Sequence, residues 1–252
     1  LFELETAIER KYKLKECRVV STFDNISEIY RQLGRDLSEI LDKILTDGSY
    51  VGVSWSLTLQ NISQYLDLSK KIDVNVIPTI GGLGISGEGR NSNFVAKIFA
   101  ERIGGKGFIL NAPAIVTSKE VKEIIKNDIN TKNIIDLAQN ISTTITGIGE
   151  VRIDASVIKG GYFTEDEVDL LISMGAIGSI TLNFIDKDGE AIKSKIDDKI
   201  VKIFPIKKMK KVKNVIGVAF GENKVQAIKA SLGNIINILI TDEKTAEALL
   251  EK

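Results

Sequence analysis

Apolar, β-branched runs alternate with helical patterns from one end of the chain to the other. The apolar runs predict strands at Cys17–Ser21, Tyr50–Trp55, Val74–Ile80, Gly107–Leu110, Thr143–Gly147, Ser179–Phe184, Ile200–Ile203, Val215–Ala219 and Ile236–Ile240. The periodic segments between them predict helices at Ile26–Thr46, Leu57–Leu68, Asn93–Ile103, Ser118–Asn127, Thr131–Gln139, Thr164–Met174, Asn223–Leu232 and Glu243–Glu251. Strands that are apolar throughout are typical of parallel sheets covered on both sides. The pattern therefore predicts an α/β fold, with a largely parallel sheet and helices on both faces.

Local signals refine these elements. Ser118, the capping box Thr164-Glu-Asp-Glu167, and Thr241-Asp242 are typical helix starts, and Asn93 is a candidate N-cap of its helix. The segment Asp186-Lys-Asp-Gly189 lies between two apolar runs and is typical of a hairpin turn. We therefore expect a small antiparallel addition near residues 179–206.

Composition excludes several classes of function. The 252 residues carry 34 basic and 34 acidic side chains, so the chain lacks the charge excess of a nucleic-acid or anionic membrane surface. A single cysteine, Cys17, excludes an internal disulfide, and the absence of histidine excludes His-based nucleophile systems and His-ligated metals. No apolar run is long enough to span a membrane. We expect a cytoplasmic protein with no metal or cofactor, in which carboxylate or lysine chemistry remains open.

Four glycine-containing loops follow predicted strands. They are Gly52-Val-Ser-Trp-Ser56, Ile80-Gly-Gly-Leu-Gly84 with Ser86-Gly-Glu-Gly-Arg90 behind it, Gly147-Ile-Gly149, and Phe220-Gly-Glu222. In parallel α/β sheets, ligands bind outside the carboxyl ends of the strands, where the strand order reverses. Each loop alone is equally compatible with a simple tight turn. Their common position at strand ends predicts a pocket.

The first and last of these loops have the composition of a phosphate site. The first offers the hydroxyls of Ser54, Ser56 and Thr58, and the last offers the ammonium of Lys224. Neither loop contains a Walker motif or a dinucleotide-binding fingerprint, so the sequence gives little support to nucleotide binding. We therefore predict that both loops hold one phosphoryl group of a ligand.

Other residues leave two interpretations open. The only tryptophan, Trp55, is expected either to pack in the core or to border the ligand, and Asn91 could offer its amide to ligand hydroxyls. The basic cluster Lys207–Lys213 is compatible with a solvated surface turn or with contact to a phosphate or an acidic partner. The first nine residues form an amphipathic segment without an initiator methionine, so we expect a fragment of a longer protein.

Taken in order, short segments spanning most of the chain resemble the C-terminal effector-binding domain of the SorC family of bacterial transcription regulators. They are Leu4-Glu5 and Tyr12-Lys-Leu14, Asp47-Gly48, Val51-Gly-Val-Ser-Trp55, Thr58-Leu59, Gly81-Gly82, Asn93, Ala112-Pro113, Gly147-Ile-Gly149, Gly161-Tyr-Phe163, Gly175-Ala-Ile-Gly178, Phe184-Ile-Asp186 with Gly189, Gly217-Val-Ala219, Lys224 with Ala227-Ile228, Ile238-Leu-Ile-Thr-Asp242, and Thr245-Ala246. Each match is weak alone, and their common order makes the set specific.

The resemblance implies a Rossmann-like domain over residues 1–252, related to sugar-phosphate isomerases and deaminases. It implies a sensor of phosphorylated sugars that acts on operator DNA through an N-terminal helix-turn-helix region absent here, as a homodimer or homotetramer. The expected phosphate contacts are Ser54, Ser56, the backbone of Leu57, Thr58, Gly221 and Lys224. The expected sugar contacts are Trp55, Gly81, Gly82, Asn91, Gly149, Glu150, Ser179 and Glu222.

The chain departs from the family pattern at three of these places. Ser56 and Phe220 stand where the family usually has glycine, so we expect their side chains to narrow the approach of the phosphate. Ser179 stands where an acid is common, which removes an acceptor for sugar hydroxyls. Ile80 precedes Gly81-Gly82 at a place where a lysine could form a Schiff base, so covalent capture of an aldehyde is not indicated.

The alternative function is a sugar-phosphate isomerase or deaminase on the same scaffold. That enzyme would need a base beside the sugar carbon, for which Glu88, Glu150 and Glu222 are the candidates. Because no histidine is available to open a sugar ring, the sequence favours a sensor without catalytic residues.

Overall fold

The computed structural model describes residues 1–82, 91–152 and 162–251. Its strands are β1 (Glu16–Val20), β2 (Tyr50–Val53), β3 (Asn75–Pro78), β4 (Lys106–Gly107), β5 (Thr143–Thr146), β6 (Gly149–Glu150), β7 (Gly178–Ile180), β8 (Asn183–Ile185), β9 (Asn214–Val218) and β10 (Ile238–Asp242). Its α-helices are α1 (Phe2–Tyr12), α2 (Ile26–Ile44), α3 (Leu57–Ser63), α4 (Ser92–Ile103), α5 (Lys119–Asn127), α6 (Ile129–Leu137), α7 (Glu165–Ser173), α8 (Ile206–Met209), α9 (Val225–Ser231) and α10 (Glu243–Leu250). Short 3₁₀ turns occupy Ala138–Asn140, Lys195–Lys199 and Glu222–Lys224.

Across the described ranges, seven strands form one parallel sheet in the order β1-β10-β9-β5-β2-β3-β4. Its strands are apolar on both sides because each side is covered. Side chains of α2, α3 and α4 form one buried core, and those of α1, α6, α9 and α10 contribute to the other. The predicted α/β architecture with helices on both faces is confirmed.

The helix starts follow the predicted chemistry. The hydroxyl of Ser118 accepts from the Val121 amide at the start of α5, and Thr164 and Glu167 form the capping box of α7. The Asp242 carboxylate accepts from the Thr245 amide at the start of α10. In the first long helix, Leu33, Leu37 and their neighbours form the fully buried stripe that the spacing predicted.

The outer edge of β1 is covered by α1, and two carboxylates of that helix replace a neighbouring strand. Glu9 accepts a hydrogen bond from the Cys17 amide at 2.8 Å, and Glu5 accepts one from the Val19 amide at 2.9 Å. An edge strand otherwise presents unpaired N–H groups to other chains. The amphipathic start of the chain therefore closes the sheet on this side.

A second, smaller sheet is antiparallel and contains β6, β7 and β8 in that order. The single strand predicted at 179–184 is wrong, because the chain reverses at Thr181 and Leu182. Both residues have positive φ, 50° and 56°, as the central residues of a type I′ turn do. The side-chain amide of Asn183 stabilises this turn by donating to Ile180 and Thr181. The predicted antiparallel addition and the Asp186–Gly189 turn are both present.

Three further local predictions need correction. The segment 200–203 is not a strand; within the described part of the chain it makes only isolated bridges, from Ile200 to Ile115 and from Lys202 to Ile80. The helix after β2 ends at Ser63 rather than at residue 68. Asn91, not Asn93, caps α4, and Asn93 instead exchanges two hydrogen bonds with the backbone of Leu110.

The strand order places a crevice at one end of the sheet. From β2 the chain moves outward through β3 to β4, then returns to β5 on the other side of β2. The connections on either side of this point diverge, which opens a gap at the carboxyl ends of β2 and β5. None of the helices in the described ranges combines the length and the hydrophobicity of a membrane-spanning segment.

Candidate functional site

A cavity of about 150 Å³ occupies this crevice. Its walls come from the ends of β2, β3, β5 and β9 and from the small sheet. They are formed by Trp55, Ser56, Leu57, Thr58, Ile80, Gly147, Ile148, Gly149, Glu150, Ser179, Thr181, Leu182 and Lys224. The structure thus brings together residues from both predicted phosphate loops, which we call the first loop (Ser54–Thr58) and the second loop (Phe220–Lys224).

The first loop uses most of its hydroxyls for its own structure. Ser54 is buried, and its Oγ lies 3.2 Å from Oγ1 of Thr146 on the neighbouring strand, so Ser54 does not line the cavity. The Oγ of Ser56 accepts from the Leu59 amide at 3.0 Å and caps α3. Ser56 nevertheless lines the cavity together with Leu57 and Thr58.

Gly147 allows the first loop to approach β5. A Cβ atom at this position would lie 2.6 Å from both Cβ and Oγ of Ser56, well inside van der Waals contact. The Ser56 side chain therefore occupies the space that a side chain at residue 147 would need. This explains why both residues meet on one wall of the cavity.

The second loop is held by its backbone. Gly221 has φ of +112°, a value that favours glycine, and its amide donates to Oγ1 of the buried Thr245 at 2.8 Å. The ring of Phe220 packs edge-on against Tyr30, with centroids 5.8 Å apart, and does not line the cavity. The expected narrowing of the site by Phe220 is therefore not observed.

Lys224 is the cation of the cavity wall. Burial lowers the pKa of its ammonium, and the carboxylate of Glu150 opposes that change. Within residues 1–82, 91–152 and 162–251, Nζ of Lys224 has no hydrogen bond and no ion pair. A half-buried ammonium without a partner favours an anionic ligand, because such a ligand would replace the hydration that burial removes.

Glu150 lies in the cavity wall, on β6, beside the second loop. Its Oε1 accepts a hydrogen bond of 2.7 Å from the side-chain amide of Asn223, and its Oε2 lies 3.5 Å from the guanidinium of Arg152. Asn223 directly precedes Lys224, so this hydrogen bond joins the small sheet to the second loop. Asn223 was not predicted to be a functional residue, because nothing in the sequence pattern pairs it with a residue in β6.

The remaining wall is mixed. Trp55 packs against the core on one face of the main sheet and against the core of the small sheet, and it also borders the cavity. The expected core packing of Trp55 is therefore observed, and contact of its ring with a ligand stays a prediction. Ser179 of β7 also lines the cavity, as do Thr181 and Leu182 of the hairpin turn. Those two turn residues were missed because the segment was predicted to be a continuous strand.

Several predicted contact residues lie outside the cavity wall. Gly81 is buried against the backbone of Ala112 and Pro113, and the amide of Gly82 donates to Ala112. Asn91 is exposed at the start of α4, while Glu222 is exposed beside Gly221. The candidate base Glu88, the loop Ser86–Arg90 and Gly161 lie outside the described residues.

The described residues contain no group of three or more acidic or cysteine side chains that could hold a metal ion. Among the described residues, the ionisable groups of the cavity wall are Glu150 and Lys224. The arrangement offers a cation, hydroxyls and a carboxylate to the same space. It can therefore bind a small polar anion that also carries hydrogen-bond donors.

Comparison with known proteins gives a consistent picture. The model of the Sugar-bind family, described as "Putative sugar-binding domain", matches residues 1–251. The deoxyribonucleoside regulator of Bacillus subtilis is 30% identical over 98% of this chain and 79% of its own length. The sorbitol operon regulator of Klebsiella pneumoniae is 26% identical over 98% of this chain and 80% of its own length. The crystal structure of the full-length sorbitol operon regulator SorC from Klebsiella pneumoniae superimposes with a TM-score of 0.91, covering 99% of this chain and 81% of that one at 26% identity.

Proposed function

This chain belongs to the Sugar-bind family of sugar-binding domains, in the group that includes the SorC regulators, and we propose that its effector is a phosphorylated sugar. The chain is the effector-binding domain of a transcription regulator rather than an enzyme, since its relatives are regulators. We also propose which residues bind the phosphoryl group and how effector binding acts on the rest of the regulator.

One observation carries the proposal. The unpartnered ammonium of Lys224 and the hydroxyl-bearing residues Ser56 and Thr58 face one cavity, although they come from opposite ends of the chain. A phosphoryl group would supply the charge that the ammonium lacks and would accept a hydrogen bond from the Thr58 hydroxyl, whereas the Ser56 hydroxyl caps α3. The sugar would extend toward Trp55, Glu150 and Ser179.

The other predicted contacts have less support. Ser54 and Gly221 already have hydrogen-bond partners, so we assign them the role of shaping the two loops. Four other predicted contacts do not line the cavity, so a ligand would have to extend beyond it to reach them: Gly81, Gly82, Asn91 and Glu222.

At the level of the whole regulator, we propose that residues 1–252 form one effector-binding unit of a homodimeric or homotetrameric cytoplasmic protein. Effector binding would change how the subunits are arranged and so alter their affinity for operator DNA. A ligand can do this only if it binds two arrangements with different affinities.

The proposal is tested by binding and turnover measured on the same samples. The panel contains 2-deoxy-D-ribose 5-phosphate and D-sorbitol 6-phosphate, chosen from the names of the relatives, together with D-ribose 5-phosphate and D-glucose 6-phosphate. Inorganic phosphate and the unphosphorylated sugars are the controls. We expect at least one sugar phosphate to raise the melting temperature without being converted, as followed by ³¹P and ¹H NMR. Steady conversion would support the isomerase or deaminase instead, and binding of the free sugar alone would exclude the phosphate site.

The variant Lys224→Met identifies the anion contact. A hydrogen bond to a charged group is worth ~1.5–3 kcal/mol, so we expect the dissociation constant of the best sugar phosphate to rise roughly ten- to 150-fold. Lys229→Met is the matched control, because Lys229 lies on the next helix and only its Nζ contact to the Glu251 carbonyl is lost. Equal affinity of both variants for the sugar phosphate would show that the phosphoryl group binds elsewhere.

A further inference from the structure

Glu150 is the only carboxylate among the described residues of the cavity wall, and its two oxygens have different partners: Oε2 pairs with Arg152, and Oε1 contacts a residue of the second loop. Oε1 of Glu150 accepts a hydrogen bond from Nδ2 of Asn223 at 2.7 Å. Glu150 is half-buried, while Asn223 is exposed and stands outside the cavity wall. The side-chain amide of Asn223 therefore binds the Glu150 carboxylate from outside the cavity and leaves the cavity free for a ligand.

The geometry of the second loop makes this contact possible. Gly221 has no Cβ, and a Cβ there would lie 3.0 Å from Oδ1 of Asn223, tighter than almost all real contacts. The left-handed backbone of Gly221 therefore leaves room for the Asn223 side chain to turn back toward β6. Asn223 is also adjacent to Lys224, so one short segment positions both the cation and the carboxylate.

The two charges lie near each other in the cavity wall. The Glu150 carboxylate influences the ammonium of Lys224 electrostatically, yet the two groups form no ion pair. An ionised carboxylate accepts hydrogen bonds and cannot donate them. It would therefore repel the phosphoryl group, and it would bind a hydroxyl group of the same ligand.

We infer that Asn223 is a positioning residue that orients Glu150 to accept a hydrogen bond from a sugar hydroxyl, so that the site selects hydroxylated phosphate esters over phosphate esters without a hydroxyl. This inference rests on the proposed function of the cavity. It assigns the two charged residues separate tasks, with Lys224 binding the phosphoryl group and Glu150 recognising the sugar.

The test compares two probes that differ only in their hydroxyls. D-ribose 5-phosphate has a hydroxylated ring, whereas tetrahydrofurfuryl phosphate keeps the ring and the phosphoryl group and has no hydroxyl. Dissociation constants are measured by calorimetry for the folded chain. We expect the wild type to prefer ribose 5-phosphate about tenfold, the value of one hydrogen bond to a charged group. Asn223→Ala should reduce that preference to about threefold or less and leave the affinity for tetrahydrofurfuryl phosphate within about twofold.

A double-mutant cycle separates positioning from a general structural effect. If Asn223 acts through Glu150, Asn223→Ala should change nothing further in a Glu150→Ala background. Asn234→Ala is the matched control, because Asn234 donates a similar hydrogen bond of 3.1 Å to Glu190 at a distant surface. We expect that variant to keep the wild-type preference.

Three results would overturn the inference. These are an equal affinity of the wild type for both probes, an unchanged preference in Asn223→Ala, or an additive effect in the double variant. The proposed function fails in a different way, since then no sugar phosphate of the panel described above would bind. That outcome would remove the inference together with the site.

Discussion

The first and second loops contact the same cavity but use their polar atoms differently. In the first loop, the hydroxyls of Ser54 and Ser56 already form hydrogen bonds, one to Thr146 and one to the amide of Leu59. In the second loop, Lys224 has no partner within the described residues. The first loop is therefore held by its own hydrogen bonds, and the second supplies a cation that is free to bind a ligand.

This difference predicts that the free energy of unfolding and the ligand affinity respond to different substitutions. A substitution in the first loop should act mainly on the free energy of unfolding, because it removes hydrogen bonds that exist without ligand. A substitution of Lys224 should act mainly on ligand affinity. A substitution of Thr245 should change both the free energy of unfolding and the ligand affinity, since the shape of the second loop depends on this residue.

The largest effect on stability is expected for Thr245→Val. Thr245 is fully buried, and its hydroxyl accepts from the Gly221 amide at 2.8 Å. The isosteric valine leaves that amide without a partner, which costs about 1–3 kcal/mol of unfolding free energy. The loop should also lose its fixed shape, so the affinity for a sugar phosphate should fall. Urea unfolding and calorimetry measure the two effects.

Thr241→Val is the matched control for this prediction. Thr241 is equally buried and only four positions away, yet its hydroxyl has no hydrogen-bond partner in the described residues. Replacing that hydroxyl with a methyl group should be neutral or stabilising, since no partner is lost. If both variants lost the same stability, the contact between Gly221 and Thr245 would not be what holds the second loop.

A smaller effect is expected for Ser56→Ala. Loss of an N-cap side chain costs ~1 kcal/mol, and Ser56 caps α3. Because the hydroxyl already serves the helix, the affinity for a sugar phosphate should change by less than about threefold, that is by less than ~0.7 kcal/mol. Urea unfolding gives the first quantity and calorimetry the second.

Ser118→Ala provides the comparison for the cap, because Ser118 caps the exposed helix α5 far from the cavity. Both variants should lose similar stability. A tenfold or greater loss of affinity in Ser56→Ala alone would show that the first loop binds the phosphoryl group as directly as the second. The distinction between the two loops would then be wrong.

The strand ends were predictable from sequence, and the walls between them were not. Parallel strands must place their carboxyl ends at one edge of the sheet, so the meeting of the two loops followed from the alternation of strands and helices. The hairpin at Thr181 and Leu182 gave no such signal. A β-branched residue beside a leucine is typical of a strand, and glycine or asparagine is the usual mark of a type I′ turn. Asn183 and the apolar surroundings of Leu182 stabilise the turn instead.

Two other differences between prediction and structure also arise from contacts between distant residues. Asn91 and Asn93 are equally suited to cap a helix, and only the contact of Asn93 with the backbone of Leu110 determines which one does. The hydrogen bond between Asn223 and Glu150 joins distant parts of the chain and has no sequence pattern. The prediction from sequence therefore ends where side chains of different elements choose their partners.

The smallest effect is the pH dependence that Lys224 adds to stability. Burial lowers the pKa of this ammonium in the folded chain below its ordinary value of 10.5. Between the lowered pKa and the ordinary one, the unfolded chain binds more protons, so the free energy of unfolding due to this group rises with pH. Below the lowered pKa, the full cost of burying the charge is present. Lys224→Met removes that cost, and its stability relative to the wild type should be greatest near neutral pH and should diminish as pH rises toward 10.5.

Comparing wild type with Lys224→Met isolates this group, because other titrations cancel. Burial also raises the pKa of the Cys17 thiol, and burial raises that of Asp36 to about 6, but both groups are present in the two proteins. The second pKa of a phosphate monoester is ~6, so a ligand keeps its charge across the alkaline interval. A bound phosphate favours the ammonium, and affinity for a sugar phosphate should therefore fall as pH rises through the same interval. Urea unfolding of both proteins between neutral pH and 10.5 measures the difference in stability. A difference independent of pH would show that burial of this ammonium has no cost, and burial would then not be what makes the second loop favour an anion.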